Sequence, residues 1–208
     1  MSNRSVVYID GFNFYYGAVK GTLFKWLDIQ KYFLKLRPDD DIQKIWYFTA
    51  KVSGGQRARQ KIYFDALSNS PLIELVFGLY KQKNLRCRVE SCRHRGSRVY
   101  SVPEEKGTDV NIAIQMVDDA YRGVCDRMIL VSGDSDLVPA VNLVKARHPH
   151  IQITIYVPAR HPSRGAAREL RNAGDKDKSL PTALFPETQF PQTVMGASGR
   201  TLYKPAKW

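Results

Sequence analysis

Residues 7 to 16 read VYIDGFNFYY and place a carboxylate, a glycine and an amide directly behind the apolar run that opens the chain. That run, SVVYI at 5–9, has the β-branched composition of a buried strand. Asp10 follows it at once, Gly11 permits a tight turn, and Asn13 lies just inside the loop. A carboxylate at the end of a buried strand faces a desolvation cost unless something pairs with it. The stretch therefore indicates a functional loop at the carboxyl end of the first strand.

Strand and helix patterns alternate along most of the chain. Apolar runs rich in β-branched residues are typical of strands, and the segments between them carry apolar residues at helical spacing. Strands are predicted at 5–9, 44–48, 72–78, 127–132 and 151–157, and helices at 26–36, 56–68, 108–122 and 135–147. This alternation predicts an α/β fold with a mostly parallel central sheet and helices on both faces.

The chain of 208 residues is long enough for one α/β domain, and its 43% apolar and 25% charged residues are typical of a globular protein. We assign residues 1–172 to that domain. A cation-rich stretch at 81–103 interrupts the alternation, and we interpret it as an inserted protruding loop or a small hairpin. Residues 173–208 are rich in Pro, Thr, Ser and Gly, so we expect an irregular C-terminal tail, draped over the domain or partly mobile.

The charge balance indicates an acidic partner. Lys and Arg number 32 against 20 Asp and Glu, which leaves a net charge of +12 that would suit nucleic acid, membrane headgroups or an acidic protein. No apolar stretch approaches the roughly 20 residues of a membrane span, and the N-terminus lacks the features of a signal peptide. We therefore expect a cytoplasmic protein with reduced cysteines. Cys87 and Cys92 with His94 leave a zinc site open, although a clear fourth ligand is missing.

Acidic side chains from three segments are expected at one edge of the sheet. In a parallel α/β sheet, ligands bind beyond the carboxyl ends of the strands. The stretch ILVSGDSDLVPAV brings Asp134 and Asp136 to that edge directly after a strand, and Asp109 lies on the apolar stripe at the N-terminal end of a helix. Together with Asp10, these carboxylates would repel one another unless a cation binds. Mg²⁺ or Mn²⁺ is the natural counter-charge, because both prefer oxygen ligands.

Each acid also has a structural interpretation. An Asp near a helix N-terminus stabilises the helix dipole, which would account for Asp109 and Asp136 singly, and Asp134 could cap the helix that follows it. Thr108 is predicted as the N-cap of the helix that carries Asp109. We assign three further acids to solvated faces or turns: Asp118, Asp119 and Asp126.

Three motifs carry a family resemblance. YIDGFN, EKGTDVNIAIQM and LVSGDSDLVPAV, in this order and spacing, resemble the NYN domain, a branch of the PIN-like nuclease fold that includes the LabA-like bacterial proteins. The resemblance spans about residues 5–170, and the closing stretch GRTLYKPAKW is also similar to such proteins. It implies a Rossmann-like parallel sheet and Mg²⁺- or Mn²⁺-dependent cleavage of RNA. It also implies catalytic or metal-binding roles for Asp10, Asn13, Asp109, Asp134 and Asp136.

One departure from the family concerns the number of metal ions. Some relatives carry an acid at the place of Gln115, so this site could hold one metal ion rather than two. Other phosphate-binding classes fit worse. A haloacid-dehalogenase-like phosphatase needs a second Asp where Phe12 stands, and the chain has neither a G-x-x-x-x-G-K-[ST] loop nor a G-x-G-x-x-G turn after a strand.

We therefore predict a metal-dependent ribonuclease that hydrolyses RNA phosphodiester bonds at the Asp cluster, with Asn13 orienting a metal-bound water or the scissile phosphate. The alternative is a catalytically silent nucleic-acid-binding or regulatory adaptor with the same fold. Metal-dependent turnover would separate the two functions.

Cations near the same edge would hold the backbone of RNA, or of single-stranded DNA. The candidates are Lys51, Arg57, Arg59, Lys106 and Arg164. Any one of them taken alone is more often a solvated surface side chain. Three aromatic residues near strand ends could stack on unpaired bases or pack in the core: Tyr15, Tyr16 and Tyr47.

Overall fold

The computed structural model of the protein describes residues 3–159, 168–196 and 199–206. Its strands are β1 Asn3–Asp10, β2 Asp40–Thr49, β3 Ile73–Phe77, β4 Leu79–Arg86, β5 Val99–Lys106, β6 Arg127–Val131, β7 Gln152–Val157, β8 Lys176–Ser179, β9 Thr193–Met195 and β10 Thr201–Tyr203. Its α-helices are α1 Gly11–Phe14, α2 Ile29–Leu36, α3 Arg57–Leu67, α4 Thr108–Tyr121, α5 Val138–Arg147 and α6 Arg168–Ala173. Within these ranges no helix has the length and apolar character needed to cross a membrane.

The central sheet has six strands in the order β3-β2-β1-β6-β7-β8, and all neighbours are parallel. The predicted α/β fold with a mostly parallel sheet is thus confirmed. The order runs outward in both directions from β1 and β6, so the topological switch point lies between these two strands. Ligands of open α/β sheets bind at this place, outside the carboxyl ends of the strands.

Alternate residues of β1 enter two separate hydrophobic cores. Val7 and Ile9 pack in one core with residues of α2 and α3, whereas Val6 and Tyr8 pack in the other with residues of α4 and α5. Because helices cover both faces, every side chain of the strand from Val6 to Ile9 is buried. This double burial explains why β1 is a continuous apolar run rather than an alternating pattern.

A π-helix, Tyr15–Val19, follows α1 directly. The Lys20 N–H donates to the Tyr15 carbonyl oxygen at 2.7 Å, which is the five-residue spacing of this helix type. Gly17 lies so close to the loop after β7 that a Cβ there would stand 1.8 Å from the Pro158 carbonyl oxygen. Only glycine fits at this contact, so the π-helix is held directly against the sheet edge.

The basic insertion is largely an antiparallel hairpin, which is the second of the two forms expected for it. β4 and β5 pair along their full lengths, and the cationic side chains of residues 81–103 are exposed. β4 begins directly after Gly78, at the carboxyl end of β3, and β5 leads into α4. The base of the hairpin therefore lies at the same edge of the sheet as the predicted acidic site.

The C-terminal segment has more regular structure than the irregular tail expected for it. β8 extends the central sheet beside β7, and Leu180 and Phe185 are buried in the core beyond it. The Tyr32 hydroxyl donates to the Pro181 carbonyl oxygen at 2.9 Å. β8 has no apolar pattern, because the four residues KDKS of this edge strand are all exposed and only the backbone pairs with the sheet.

Asp119 lies in the interior, so its assignment to a solvated face is wrong. The residue is 3% exposed, and its carboxylate accepts hydrogen bonds from the Tyr8 hydroxyl (2.8 Å), Trp46 Nε1 (3.0 Å) and Gln115 Nε2 (3.0 Å). A buried carboxylate is tolerated when donors compensate for the lost water. Here the donors come from two strands and from α4 itself, so Asp119 ties the helix to the sheet.

Candidate active site

Asp10 is buried at the carboxyl end of β1, with 2% of its surface exposed. Its Oδ1 accepts from the backbone N–H groups of Phe12 (3.1 Å) and Asn13 (3.0 Å), which caps α1. Its Oδ2 accepts from Asn13 Nδ2 (2.5 Å) and the Ser132 hydroxyl (2.9 Å). Burial raises the pKa of this carboxyl, and the hydrogen bonds from Asn13 and Ser132 oppose the rise. With four donors, the acceptor positions of Asp10 are filled.

Ser132 and Asn13 join the ends of β1 and β6. The Ser132 hydroxyl, which donates to Asp10, also accepts from the Asp134 N–H at 3.1 Å. Asn13 Oδ1 accepts from the Gly133 N–H at 3.2 Å, so both polar atoms of the Asn13 amide are engaged. The two loops therefore form one hydrogen-bonded unit. The role predicted for Asn13, orienting a water or a phosphate, stays a prediction.

Asp134 and Asp136 lie in the turn between β6 and α5. Asp134 Oδ1 accepts from the Asp136 backbone N–H at 3.0 Å and caps the 3₁₀ turn Ser135–Leu137, so capping accounts for one of its two oxygens. The other oxygen, Oδ2, receives no hydrogen bond from any described residue. Asp134 is half-buried and Asp136 is exposed.

Asp109 lies in the first turn of α4 and is half-buried. The N-cap of this helix is Gly107 with φ 92°, so the prediction of Thr108 as N-cap is wrong by one residue. A left-handed φ favours glycine, which is why the helix begins after it. Thr108 is buried instead, and its hydroxyl donates to Glu105. The Asp109 carboxylate receives no hydrogen bond within the described part of the chain.

Four other carboxylates act on Asp109. Burial raises the pKa of its carboxyl, and the negative charges of Asp10, Asp134, Glu105 and Asp136 raise it further, to about 6. Negative charges in the neighbourhood of a carboxyl disfavour its ionised form. The four predicted aspartates therefore share one electrostatic neighbourhood, and Glu105 belongs to it as well.

The raised pKa predicts a pH-dependent gain of stability in the Asp109→Asn variant. Between 3.8 and about 6 the folded state binds more protons at Asp109 than the unfolded state, so the free energy of unfolding falls as pH rises through this window. After screening by solvent we expect the loss to be about 1 kcal/mol. Thermal melts without metal should show a higher melting temperature for Asp109→Asn at about pH 7.5 and a smaller difference at about pH 4. An equal difference at both pH values would contradict the assignment.

Ser132 and Glu105 are functional candidates that the motif analysis did not select. Ser132 directly follows a buried strand and faces the end of β1, which is the same kind of position that singled out Asp10. Glu105 precedes Thr108 by three residues, a spacing typical of side chains that bond to the start of a helix. Gln115, the departure from the family pattern, donates to Asp119 instead and is turned toward the core.

The predicted RNA-binding cations differ in their surroundings. Lys51 is exposed, with Nζ 4.5 Å from the centre of the Phe77 ring. Arg57 is exposed at the start of α3. Lys106 is exposed and pairs with Glu104 at 3.2 Å, so the carboxylate partly offsets the positive charge at this place. Arg164 lies outside the described residues.

Arg59, the remaining predicted cation, is half-buried and lines a cavity of about 200 Å³. The cavity opens beside Gly11, one residue from Asp10, and nearly half of the residues that line it are aromatic. Tyr15, Tyr16 and Tyr47 all line it, so the aromatic residues singled out in the sequence lie together next to the acidic neighbourhood.

A tight metal cage is not present in the part of the chain that the structure describes. No three or more His, Cys, Asp or Glu side chains in the described ranges are arranged to hold a metal ion. This statement covers both the acidic neighbourhood and the thiols of Cys87 and Cys92, which are free.

One family model, two relatives and a solved structure match the chain. The NYN domain model matches residues 4–179. The 6-hydroxy-3-succinoylpyridine 3-monooxygenase HspA of Pseudomonas putida (strain DSM 28022 / S16) is 30% identical over 240 residues, which cover 99% of this chain and 75% of that protein. The low amplitude and bright protein LabA of Synechococcus elongatus is 26% identical over 198 residues, 94% of each chain. A solved structure of a Vibrio parahaemolyticus protein of unknown function shares the fold, with a TM-score of 0.57, 16% identity and coverage of 86% of this chain and 94% of that one.

Proposed function

The chain belongs to the NYN domain family, and from this premise we propose that it is a metal-dependent ribonuclease that hydrolyses RNA phosphodiester bonds. The observation that carries the proposal is that the half-buried Asp109, at the carboxyl edge of the sheet, is acted on by the negative charges of four other carboxylates. Carboxylates held together without a cation repel one another, and a divalent cation relieves that repulsion. The net charge of +12 further supports a polyanionic substrate.

The donor set fits a hydrated Mg²⁺ or Mn²⁺ ion. Mg²⁺ usually keeps several waters and contacts a protein through one or two carboxylates. Asp109 and Oδ2 of Asp134 are half-buried and receive no hydrogen bond from a described residue, so they are the best direct ligands. Asp10 is saturated, and direct ligation by it would require Ser132 or Asn13 to release an oxygen.

Each acidic residue and each exposed cation has its own role in the proposed reaction. A bound divalent ion would supply polarisation of a phosphoryl oxygen and activation of a water. Asp109 and Asp134 would hold it, and Asp136 would accept hydrogen bonds from its waters. Asp10 would keep the two loops in fixed positions through Asn13 and Ser132, so that little reorganisation is needed during the reaction. The exposed cations would hold the flanking phosphates: Lys51, Arg57 and Lys106.

A cleavage assay on end-labelled RNA, with Mg²⁺ or Mn²⁺ and with EDTA, tests the proposal. We expect cleavage that requires the metal and stops with EDTA. A parallel assay with single-stranded DNA of the same sequence would establish the substrate preference. Binding of RNA without metal-dependent cleavage would favour the catalytically silent adaptor instead.

Metal binding should also be visible as a thermal shift. Mn²⁺ bound to the native state is expected to stabilise it by RT ln(1 + [L]/Kd), roughly 2.7 kcal/mol at about a hundredfold excess over Kd. The shift should largely disappear in Asp134→Asn, because that change removes part of the charge that holds the cation. It should persist in Asp118→Asn, since Asp118 is exposed and paired with Arg122. Equal losses in both variants would contradict the assigned site.

A second candidate function is oxygenation of a small aromatic acid. One relative is named 6-hydroxy-3-succinoylpyridine 3-monooxygenase. The observation in this chain that favours the idea is the aromatic cavity beside Gly11, which Lys25 and Arg59 also line. Such a cavity could hold a pyridine ring with its carboxylate near the two cations. Oxygen uptake and product analysis with 6-hydroxy-3-succinoylpyridine, O₂ and a two-electron reductant test this function, and absence of turnover would eliminate it.

A further inference from the structure

The aromatic cavity lies on the other side of the sheet edge from α4. Its floor is formed by buried side chains of the core that contains α2 and α3, namely Phe14, Tyr47 and Phe64. Asp109 belongs to α4, which packs on the opposite core. The two sites meet at Asp10 and Gly11, where the chain leaves β1. A ligand that bridges them would therefore pass directly over the acidic neighbourhood.

The cavity has the size of one ring system. An apolar cavity of about 150 Å³ can hold benzene, so about 200 Å³ accommodates a single planar base but not a whole nucleotide. The sugar and phosphate would remain at the mouth. Tyr16, 55% exposed, lies at that mouth and contacts the Tyr15 ring edge-to-face at 5.2 Å between centroids. Aromatic walls of this kind favour a planar ring, because stacking is sequence-tolerant and strong.

One polar side chain of the cavity wall, Gln60, is held in place by the backbone. Gln60 accepts from the Val52 N–H at 2.8 Å and donates to the Ala50 carbonyl oxygen at 3.0 Å, which fixes the wall formed by the β2–α3 loop. Tyr47 lines the cavity, and its hydroxyl makes no hydrogen bond with any described residue. The hydroxyl can therefore donate to or accept from a polar atom of a ligand in the cavity.

Two cations line the same cavity. Arg59, on α3, lies close enough to Tyr15 that its charge opposes the burial-driven rise in the pKa of that hydroxyl. Lys25 lines the cavity from the segment before α2. A base in the cavity would carry its phosphate toward such cations, and guanidinium groups suit phosphate oxygens well.

We propose that this cavity binds one unpaired nucleobase of the RNA, next to the scissile phosphate, with Arg59 and Lys25 contacting the adjoining phosphate. The inference rests on the proposed ribonuclease function for its substrate, and it makes the enzyme specific for single-stranded RNA, since a paired base is not available to enter. The Tyr47 hydroxyl is the group that would distinguish one base from another.

Titration of the metal-free protein with UMP, CMP, AMP and GMP tests the cavity separately from cleavage. Intrinsic fluorescence is a suitable readout, because Trp26 contacts Tyr63 of the cavity wall with 6.1 Å between ring centroids. We expect saturable binding that Arg59→Gln weakens about tenfold or more, as for loss of a charged hydrogen bond. Lys61→Gln is the matched control, an exposed cation on the same helix that does not line the cavity. Equal weakening by both variants would overturn the proposal.

A cavity-filling variant and an RNA substrate give a second test. Val52→Trp, at a half-buried wall position, should abolish nucleotide binding while leaving the Mn²⁺ thermal shift in place. In cleavage assays the same variant should lose its preference for single-stranded over duplex RNA. Metal-dependent cleavage by a wild-type protein that binds no nucleotide would overturn the cavity proposal and leave the ribonuclease function standing.

Two further outcomes would distinguish failure of the ribonuclease function from failure of the base-binding cavity. Nucleotide binding without any cleavage would retain the cavity as a base site and reject the ribonuclease. Saturable binding of a pyridine carboxylate but of no nucleotide would overturn the base site in favour of a small aromatic acid.

Discussion

Asp109→Asn is expected to reduce metal-dependent RNA cleavage by about 10²- to 10³-fold, the range seen when one preorganised electrostatic group is removed from an active site. The half-buried Asp109 carboxylate receives no hydrogen bond within the described residues, and the negative charges of four other carboxylates act on it. The Asp109 carboxylate is therefore available to bind a ligand and does not stabilise the fold. Initial rates of cleavage at saturating Mn²⁺, measured beside the melting temperature, check this expectation.

The combination of the two readouts makes the result specific. Asp109→Asn should be less active and, without metal at neutral pH, more stable, whereas a residue that only supports the helix would lose both. Asp118→Asn, an exposed position on the same helix, should cleave at the wild-type rate. Wild-type cleavage by Asp109→Asn would show that the metal, if one is used, binds elsewhere.

Asp119→Ala is expected to lower the free energy of unfolding by about 3 kcal/mol, because each buried donor left without an acceptor costs about 1–3 kcal/mol. The change would leave the Tyr8 hydroxyl and Trp46 Nε1 without their acceptor inside the protein. For a domain of this size we expect the melting temperature to fall by roughly 10 °C. Urea unfolding in EDTA measures the effect without interference from metal.

Asp126→Ala is the matched control for this prediction. Asp126 pairs with Arg4 at 2.8 Å, and both side chains are 44% exposed. Exposed pairs contribute about 0–1 kcal/mol, so Asp126→Ala should unfold nearly as the wild type does. A loss in Asp119→Ala no larger than this would mean that the Asp119 network adds no net stability.

The position of the acidic site could be predicted because strand ends are visible in the sequence. Apolar runs end at Asp10 and at Ser132, and neighbouring parallel strands bring such ends to one edge. The helical spacing of α4 likewise predicted Asp109 near its N-terminus. The partners of Asp10 could not be predicted, since its bond with Ser132 joins residues 122 positions apart.

Asp119 shows a different limit of sequence reasoning. It lies three residues after Met116 and seven after Ile112, so helical spacing alone puts it on the buried face of α4. A charged side chain favours solvent, so helical spacing and charge give opposite predictions for Asp119. The outcome depends on donors supplied by Tyr8 and Trp46, whose rings read as apolar in a strand pattern although each has a polar atom.

The π-helix after α1 gives this sheet edge an unusual capacity for evolutionary change. A π-helix accommodates one more residue than an α-helix of the same length, so loss of one residue from this segment would restore a regular helix and turn the side chains within it by about 100°. The tyrosines that remain in the segment would face away from the cavity, while Asp10, which precedes the segment, would keep its position. A single deletion or insertion could thus exchange the ligand preference of a lineage without altering its acids.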